Sequence, residues 1–222
     1  MAAIEAVLFD LDGTLLDTAP DFYRIMIELQ QVRDMSPVPF EALRTRASDG
    51  SRAMLKLAFG EDIQELHLEP LVREFLQLYE TKPVASGALF DGVPELLTHL
   101  EMRSLPWGIV TNKPRYLSER VLESLELSER CAVLICPEDV SQSKPSPEGL
   151  LLAAKQLNVR AENCLYLGDH QRDIDAGRAA GMITIACGFG YLKPDEHASD
   201  WRADLLIHRS EDLPQFIGEL LA

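Results

Sequence analysis

Short apolar runs rich in Val, Ile and Leu recur along the chain, separated by longer stretches with helical spacing. Residues 4–9, 107–111, 132–136, 164–168 and 183–187 each read as a strand buried on both faces, and the weaker run 203–207 predicts an edge strand. Stretches 114–125, 147–157 and 169–180 predict helices, the first two opening with a proline suited to a first helical turn. This alternation predicts an α/β fold, a doubly wound parallel sheet with a Rossmann-like core.

The alternation stops after the first strand. About seventy residues without strand character follow, far more than a strand-to-helix loop needs. Phe22, Ile25, Met26 and Leu29 share one helical face, as do Leu71, Phe75, Leu78 and Tyr79, while Pro37 and Pro39 break the chain between helices. These stripes read as the core of a helical insertion. The expected division is residues 1–16 and 91–222 for the core and 17–90 for the inserted helical cap domain. Two adjacent crossings, the return one containing Pro83 and Gly87, would make a hinge for a lid.

With 222 residues and 46% hydrophobic content, the chain can bury a sizeable core. A net charge of -15 argues against nucleic acid, whose backbone is bound by clustered Lys and Arg. The apolar start is cut by Asp10 and Asp12, which neither a signal peptide nor a membrane span readily contains, so a cytoplasmic protein is expected. Cys131, Cys136, Cys164 and Cys187 lack CxxC spacing and read as reduced structural thiols. A monomer or a dimer is equally compatible with the sequence.

Chemistry concentrates where the strands end. In VLFDLDGT, strand periodicity puts Asp10 and Asp12 on one side, and Gly13 permits a sharp turn. Two carboxylates at the carboxyl end of a strand in an open α/β sheet lie where ligands bind. One can act as nucleophile and its neighbour as acid and then base. Asp169 stands at another strand tip in LYLGDHQRD, with Asp173 on the following first turn. Each alone is compatible with helix capping; together with Asp10 and Asp12 they would form the oxygen-rich site that Mg²⁺ prefers, Asp173 either as ligand or as support. Thr111 and Asn112 end a strand where a hydroxyl and backbone amides can hold a phosphate. Lys144, at the entry to a helix, supplies the cation that four carboxylates and a phosphate require. In the insertion, loop 45–52 offers Gly50 for backbone freedom and Arg46 and Arg52 for an anionic group, so that Gly50, Ser51 and Arg52 are candidate substrate contacts, against the simpler reading of a helix–helix turn with solvated arginines.

These four segments in this order resemble the haloacid dehalogenase superfamily, over essentially the whole chain: DLDGT, a strand ending in Thr111, Lys144 before proline, and GDxxxD at Asp169 and Asp173. The resemblance implies Asp10 as nucleophile and metal ligand, Asp12 as acid/base with its backbone carbonyl on the metal, Thr111 as phosphate binder, Lys144 as charge stabiliser, Asp169 as metal ligand and Asp173 as supporting carboxylate. Dehalogenases of the superfamily lack the acid at position 12, so phosphoryl transfer with Mg²⁺ is implied. The insertion resembles the cap of the phosphoglycolate phosphatase-like branch. TNKP at 111–114, the stretch 134–148 and SDGSRAM at 48–54 are similar to a narrower group acting on a phosphorylated muramic sugar. His170 departs from the small or acidic residue common after the motif aspartate and reads as a bystander. The implied partner is a small phosphorylated metabolite. A sugar phosphomutase would use the same residues, and a silent phosphosugar-binding protein would not need both Asp10 and Asp12.

Overall fold

The computed structural model describes residues 3–82 and 89–221, so the linker residues Pro83 and Gly87 lie outside the described residues. The chain runs β1 (Ala6–Phe9), then four helices α1 (Ala19–Gln31), α2 (Phe40–Arg44), α3 (Ser51–Phe59) and α4 (Glu65–Thr81), then α5 (Val93–Met102). It continues β2 (Trp107–Val110), α6 (Arg115–Ser124), β3 (Val133–Ile135), α7 (Glu148–Gln156), β4 (Cys164–Gly168), α8 (Gln171–Ala179), β5 (Ile183–Cys187), β6 (Leu205–Ile207) and α9 (Leu213–Leu220). The six strands form one sheet in the order β3-β2-β1-β4-β5-β6, parallel throughout.

β1 is central, its four residues AVLF fully buried because helices cover both faces of the sheet. Phe9 registers with Ile109 of β2 on one side and Leu167 of β4 on the other. The chain runs from β1 outward to β2 and β3 on one side and then returns to place β4 on the other side of β1, so the strand order reverses there and a crevice opens beyond the carboxyl ends of β1, β2 and β4. Asp10, Thr111 and Asp169 each follow directly on one of these three ends.

The strands at 164–168 and 183–187 match the apolar runs, while the other runs are shorter in the sheet than in the pattern. Pro114 and Pro147 precede their helices in cap position instead of occupying the first turn, Pro114 with extended backbone (ψ 142°). The helix expected from Asp169 begins at Gln171, because Asp169 stays at the strand tip and His170 is extended.

Within the insertion, Phe22, Ile25, Met26 and Leu29 of α1 pack against Leu71, Phe75 and Tyr79 of α4, all buried. Phe22 lies 6.0 Å from Phe75 and 5.1 Å from Tyr79 between ring centroids, tilted contacts worth about 0.5–1.5 kcal/mol beyond burial. The insertion also grips the core. Arg44 donates to the carbonyls of Phe189 and Gly190 at 3.1 Å each and lies over the Tyr191 ring. No helix among the described residues is long and apolar enough to cross a membrane.

Candidate active site

Asp10 leaves β1 with its amide still donating to Leu167 of β4, which fixes the backbone beside the Asp169 tip. The chain then turns sharply, and Gly13, at φ +87°, passes so close to Asp169 that a Cβ would meet its Oδ2 at 2.1 Å. A side chain here would displace the carboxylate, which explains why glycine follows Asp12. Asp10, Asp169 and Asp173 are each almost wholly buried, with one carboxylate oxygen apiece lying within 4.8 Å of the others.

Lys144 closes this cluster. Its Nζ lies 2.8 Å from Asp10 Oδ1, 2.8 Å from Asp173 Oδ1 and 2.9 Å from the Tyr166 hydroxyl. The lysine sits in the loop ahead of α7, not at the helix entry, and the Asn112 side chain both donates to and accepts from its backbone at 3.1 Å. The Asn112 amide group is therefore a clamp on the lysine loop. Thr111 Oγ1 accepts from the Lys113 amide at 3.1 Å.

Burial would raise the Asp10 carboxyl, but Lys144 and Arg172 outweigh it and hold it below its ordinary value. Asp169 is pushed up to about 7, first by burial and then by the charges of Asp10 and Asp173. Asp173 is likewise raised, by burial. Three buried carboxylates thus exceed the charge that nearby cations neutralise, and hard oxygen donors so placed suit a divalent cation such as Mg²⁺. Asp173 serves a second purpose. Its Oδ2 accepts from the His170 amide at 3.1 Å while His170 Nδ1 accepts from the Arg172 amide, so the pair caps α8 reciprocally.

Asp12 faces the other wall. Both its oxygens lie 3.1 Å from Lys113 Nζ, and Thr18 donates to Oδ1 at 2.8 Å. Lys113 also donates to the Tyr79 hydroxyl of α4 at 3.0 Å and lies over the Phe22 and Tyr79 rings. Burial favours loss of its proton, yet Asp12 and Tyr79 hold its pKa above the usual lysine value.

From the insertion, Ser48 donates to Asp169 Oδ2 at 2.8 Å, and the Tyr191 amide donates to the same oxygen at 2.9 Å. Asp49 meets Lys193 at 3.0 Å and His170 Nε2 at 3.4 Å, and that histidine contact, with Lys193, lowers its carboxyl to about 2. His170 is thus a contact between core and insertion. Lys113 lies in TNKP, Ser48 opens SDGSRAM and Arg172 stands inside the GDxxxD spacing, yet none of these segments assigns the residue a role by itself, and Tyr191 carries no motif.

A cavity of about 290 Å³ lies between insertion and core, lined by Asp10, Asp12, Thr111, Asn112, Lys113 and Arg172 on the core side. Ser48, Asp49, Gly50 and Ser51 form one rim, and Phe22, Met54, Phe75, Leu76 and Tyr79 form an apolar wall. Two helical stripes that the sequence presents as core therefore also face the cleft. Arg52 does not line it: its guanidinium pairs with Glu65 and Glu69 of α4 on the exposed side. Arg46 pairs with Asp49 and Glu61. Cys136, Cys164 and Cys187 are buried and Cys131 half-buried, all free. Burial pushes Cys131, Cys136 and Cys164 up to about 11 and Cys187 higher still.

Residues 4–181 match the model of the haloacid dehalogenase-like hydrolase family. The chain is 42% identical over 98% of its length, and 96% of the relative's, to N-acetylmuramic acid 6-phosphate phosphatase of Pseudomonas aeruginosa. It is 44% identical over 94% of each chain to a phosphoglycolate phosphatase of Xanthomonas campestris pv. campestris. Among solved structures, a predicted phosphoglycolate phosphatase from Haemophilus somnus superposes with a TM-score of 0.84 at 20% identity, covering 98% of this chain and 99% of that one, which bears on the fold alone. Sheet order, carboxylate cluster and sequence relationship converge: the chain belongs to the haloacid dehalogenase-like hydrolases and is a phosphatase.

Proposed function

We propose that the chain is a Mg²⁺-dependent phosphomonoesterase that works through an aspartyl-phosphate on Asp10, and that its substrate is N-acetylmuramic acid 6-phosphate, in cytoplasmic peptidoglycan recycling. The observation that carries the mechanism is the buried cluster in which Lys144 bridges Asp10 and Asp173 at 2.8 Å beside Asp169. Asp10 attacks phosphorus in line while Asp12 protonates the leaving sugar oxygen. Asp12 then takes a proton from water, which attacks the acyl phosphate and frees Asp10. Lys144, Thr111 and the backbone amide of Asn112 stabilise the phosphoryl oxygens. Mg²⁺, held by Asp10, Asp169 and the Asp12 carbonyl with Asp173 in support, would neutralise charge and align phosphate with nucleophile.

The helical insertion acts as a cap. The names of the relatives point to two substrates, so they do not choose between them. Cleft size does. About 290 Å³ falls just under the roughly 300–1,000 Å³ that pockets for drug-sized molecules span, and the aromatic wall suits the N-acetyl and lactyl groups of a muramic sugar. Phosphoglycolate, a two-carbon acid, would leave that wall uncovered. The test compares kcat/KM for the two compounds, with Mg²⁺ and with EDTA. The expected result is a strong preference for the muramic substrate and no turnover in EDTA. Preference for phosphoglycolate would overturn the substrate, and an isomeric sugar phosphate as product would overturn hydrolysis.

A further inference from the structure

Arg172 stands in the first turn of α8, one residue before Asp173, and its side chain lines the cleft together with Asp10 and Thr111. One terminal nitrogen donates to the Ser48 carbonyl of the insertion at 2.5 Å. Its Nε is buried and has no acceptor among the described residues. The guanidinium is thus anchored at one end to a neutral carbonyl, while a buried donor remains for an anion. A buried donor without an acceptor is costly, and a ligand that accepts from it relieves that cost.

Charge counting shows what Arg172 contributes when a phosphate dianion is bound. Asp10, Asp169 and Asp173 carry three negative charges against Lys144 and Arg172, while Lys113 and Asp12 neutralise each other. A divalent cation would leave the cluster with one net positive charge, which a phosphate dianion turns into one negative. Without Arg172 the same assembly would hold two uncompensated negative charges in a buried site.

We propose that Arg172 is a second catalytic cation, binding the transferring phosphoryl group together with Lys144 and aimed by the cap through the Ser48 carbonyl. Ser48 also donates to Asp169 at 2.8 Å, so one cap residue orients both the arginine and a carboxylate of the cluster. The proposal rests on the phosphatase reading and adds to it a residue that acts on every substrate alike.

The test uses the full-length enzyme with Arg172→Gln and Arg172→Lys, assayed on N-acetylmuramic acid 6-phosphate and on p-nitrophenyl phosphate, with inhibition by inorganic phosphate measured in parallel. The glutamine variant should lose about a hundredfold in kcat/KM on both substrates, and its inhibition by phosphate should weaken at least about tenfold. The lysine variant, which keeps the charge but not the fork, should lose about tenfold and fold if the glutamine variant does not. Unchanged phosphate inhibition in either variant would overturn the proposal. So would a loss confined to the muramic substrate, which would make Arg172 a reader of its carboxylate. A wild-type enzyme that releases phosphate from neither compound would overturn the catalytic reading itself, before any variant is compared.

Discussion

Lys144→Met isolates the cation at the centre of the site, since methionine keeps most of the side chain's volume. The ammonium lies 2.8 Å from each of two buried carboxylates. At an effective dielectric constant of about 20, each contact is worth about 6 kcal/mol of attraction, much of it offset by the cost of burying the charges. Removing the cation alone leaves Asp10 and Asp173 facing each other unpaired, a change that costs about 3–5 kcal/mol. The cost depends on pH in a defined sense. In the wild type, Lys144 helps hold Asp10 below its unfolded value, so its stabilisation is present above that value and fades only in acid. In the variant both carboxyls rise above their unfolded values. The penalty is then complete above the raised pKa and disappears as pH falls toward about 4, where the unfolded chain takes up the same protons. Urea unfolding in EDTA should show the variant about 3–5 kcal/mol less stable at pH 8, with the gap narrowing toward pH 5, and Mg²⁺ should restore part of the loss at pH 8. An equal loss at both pH values would mean that packing, not charge, is responsible and would refute the reasoning.

Mg²⁺ should raise the Tm of the wild type in differential scanning fluorimetry, and Asp169→Asn, which removes a carboxylate from the cluster, should abolish that rise; a retained rise would place the metal elsewhere. Leu117 of α6 also lines the cleft, so Leu117→Trp projects bulk into it, and KM for the muramic substrate should rise at least about tenfold while that for a small phosphomonoester such as glycerol 3-phosphate changes by less than about twofold. Lys113→Met breaks the link from Asp12 to Tyr79 and should lower kcat more than it raises KM; an effect on KM alone would make Lys113 a binding residue. Gly13→Ala forces a Cβ against Asp169 and should weaken Mg²⁺ binding, measured calorimetrically, by about tenfold or more.

The sheet was legible because buried parallel strands write themselves as unbroken apolar runs, as in CLYLG and ITIAC. The residues that the structure gathers at the crevice were legible for a related reason. Asp10, Thr111 and Asp169 each follow a buried strand directly, and a polar residue there has little structural purpose of its own. Lys113 was not legible because its partners, Asp12 and Tyr79, lie 101 and 34 residues away in sequence. Arg172 sits inside the GDxxxD spacing, where attention falls on the flanking aspartates. Arg52 misleads in the opposite way. Its place in a cap loop suggests a substrate contact, but the α3–α4 packing sets Glu65 and Glu69 beside it. Periodicity identifies a buried face without revealing what shares it, which is why Phe22, Phe75 and Tyr79 read as core when they also wall the cleft.

Acid quenching during turnover of labelled N-acetylmuramic acid 6-phosphate, followed by mass spectrometry of the peptide containing Asp10, tests the central claim most directly. The account predicts a phosphoryl group on Asp10 that forms and decays fast enough to account for turnover and is absent from Asp10→Asn, which should fold normally and release no phosphate. Phosphate release at the wild-type rate by Asp10→Asn, or turnover with no phosphoryl group ever carried on Asp10, would contradict it.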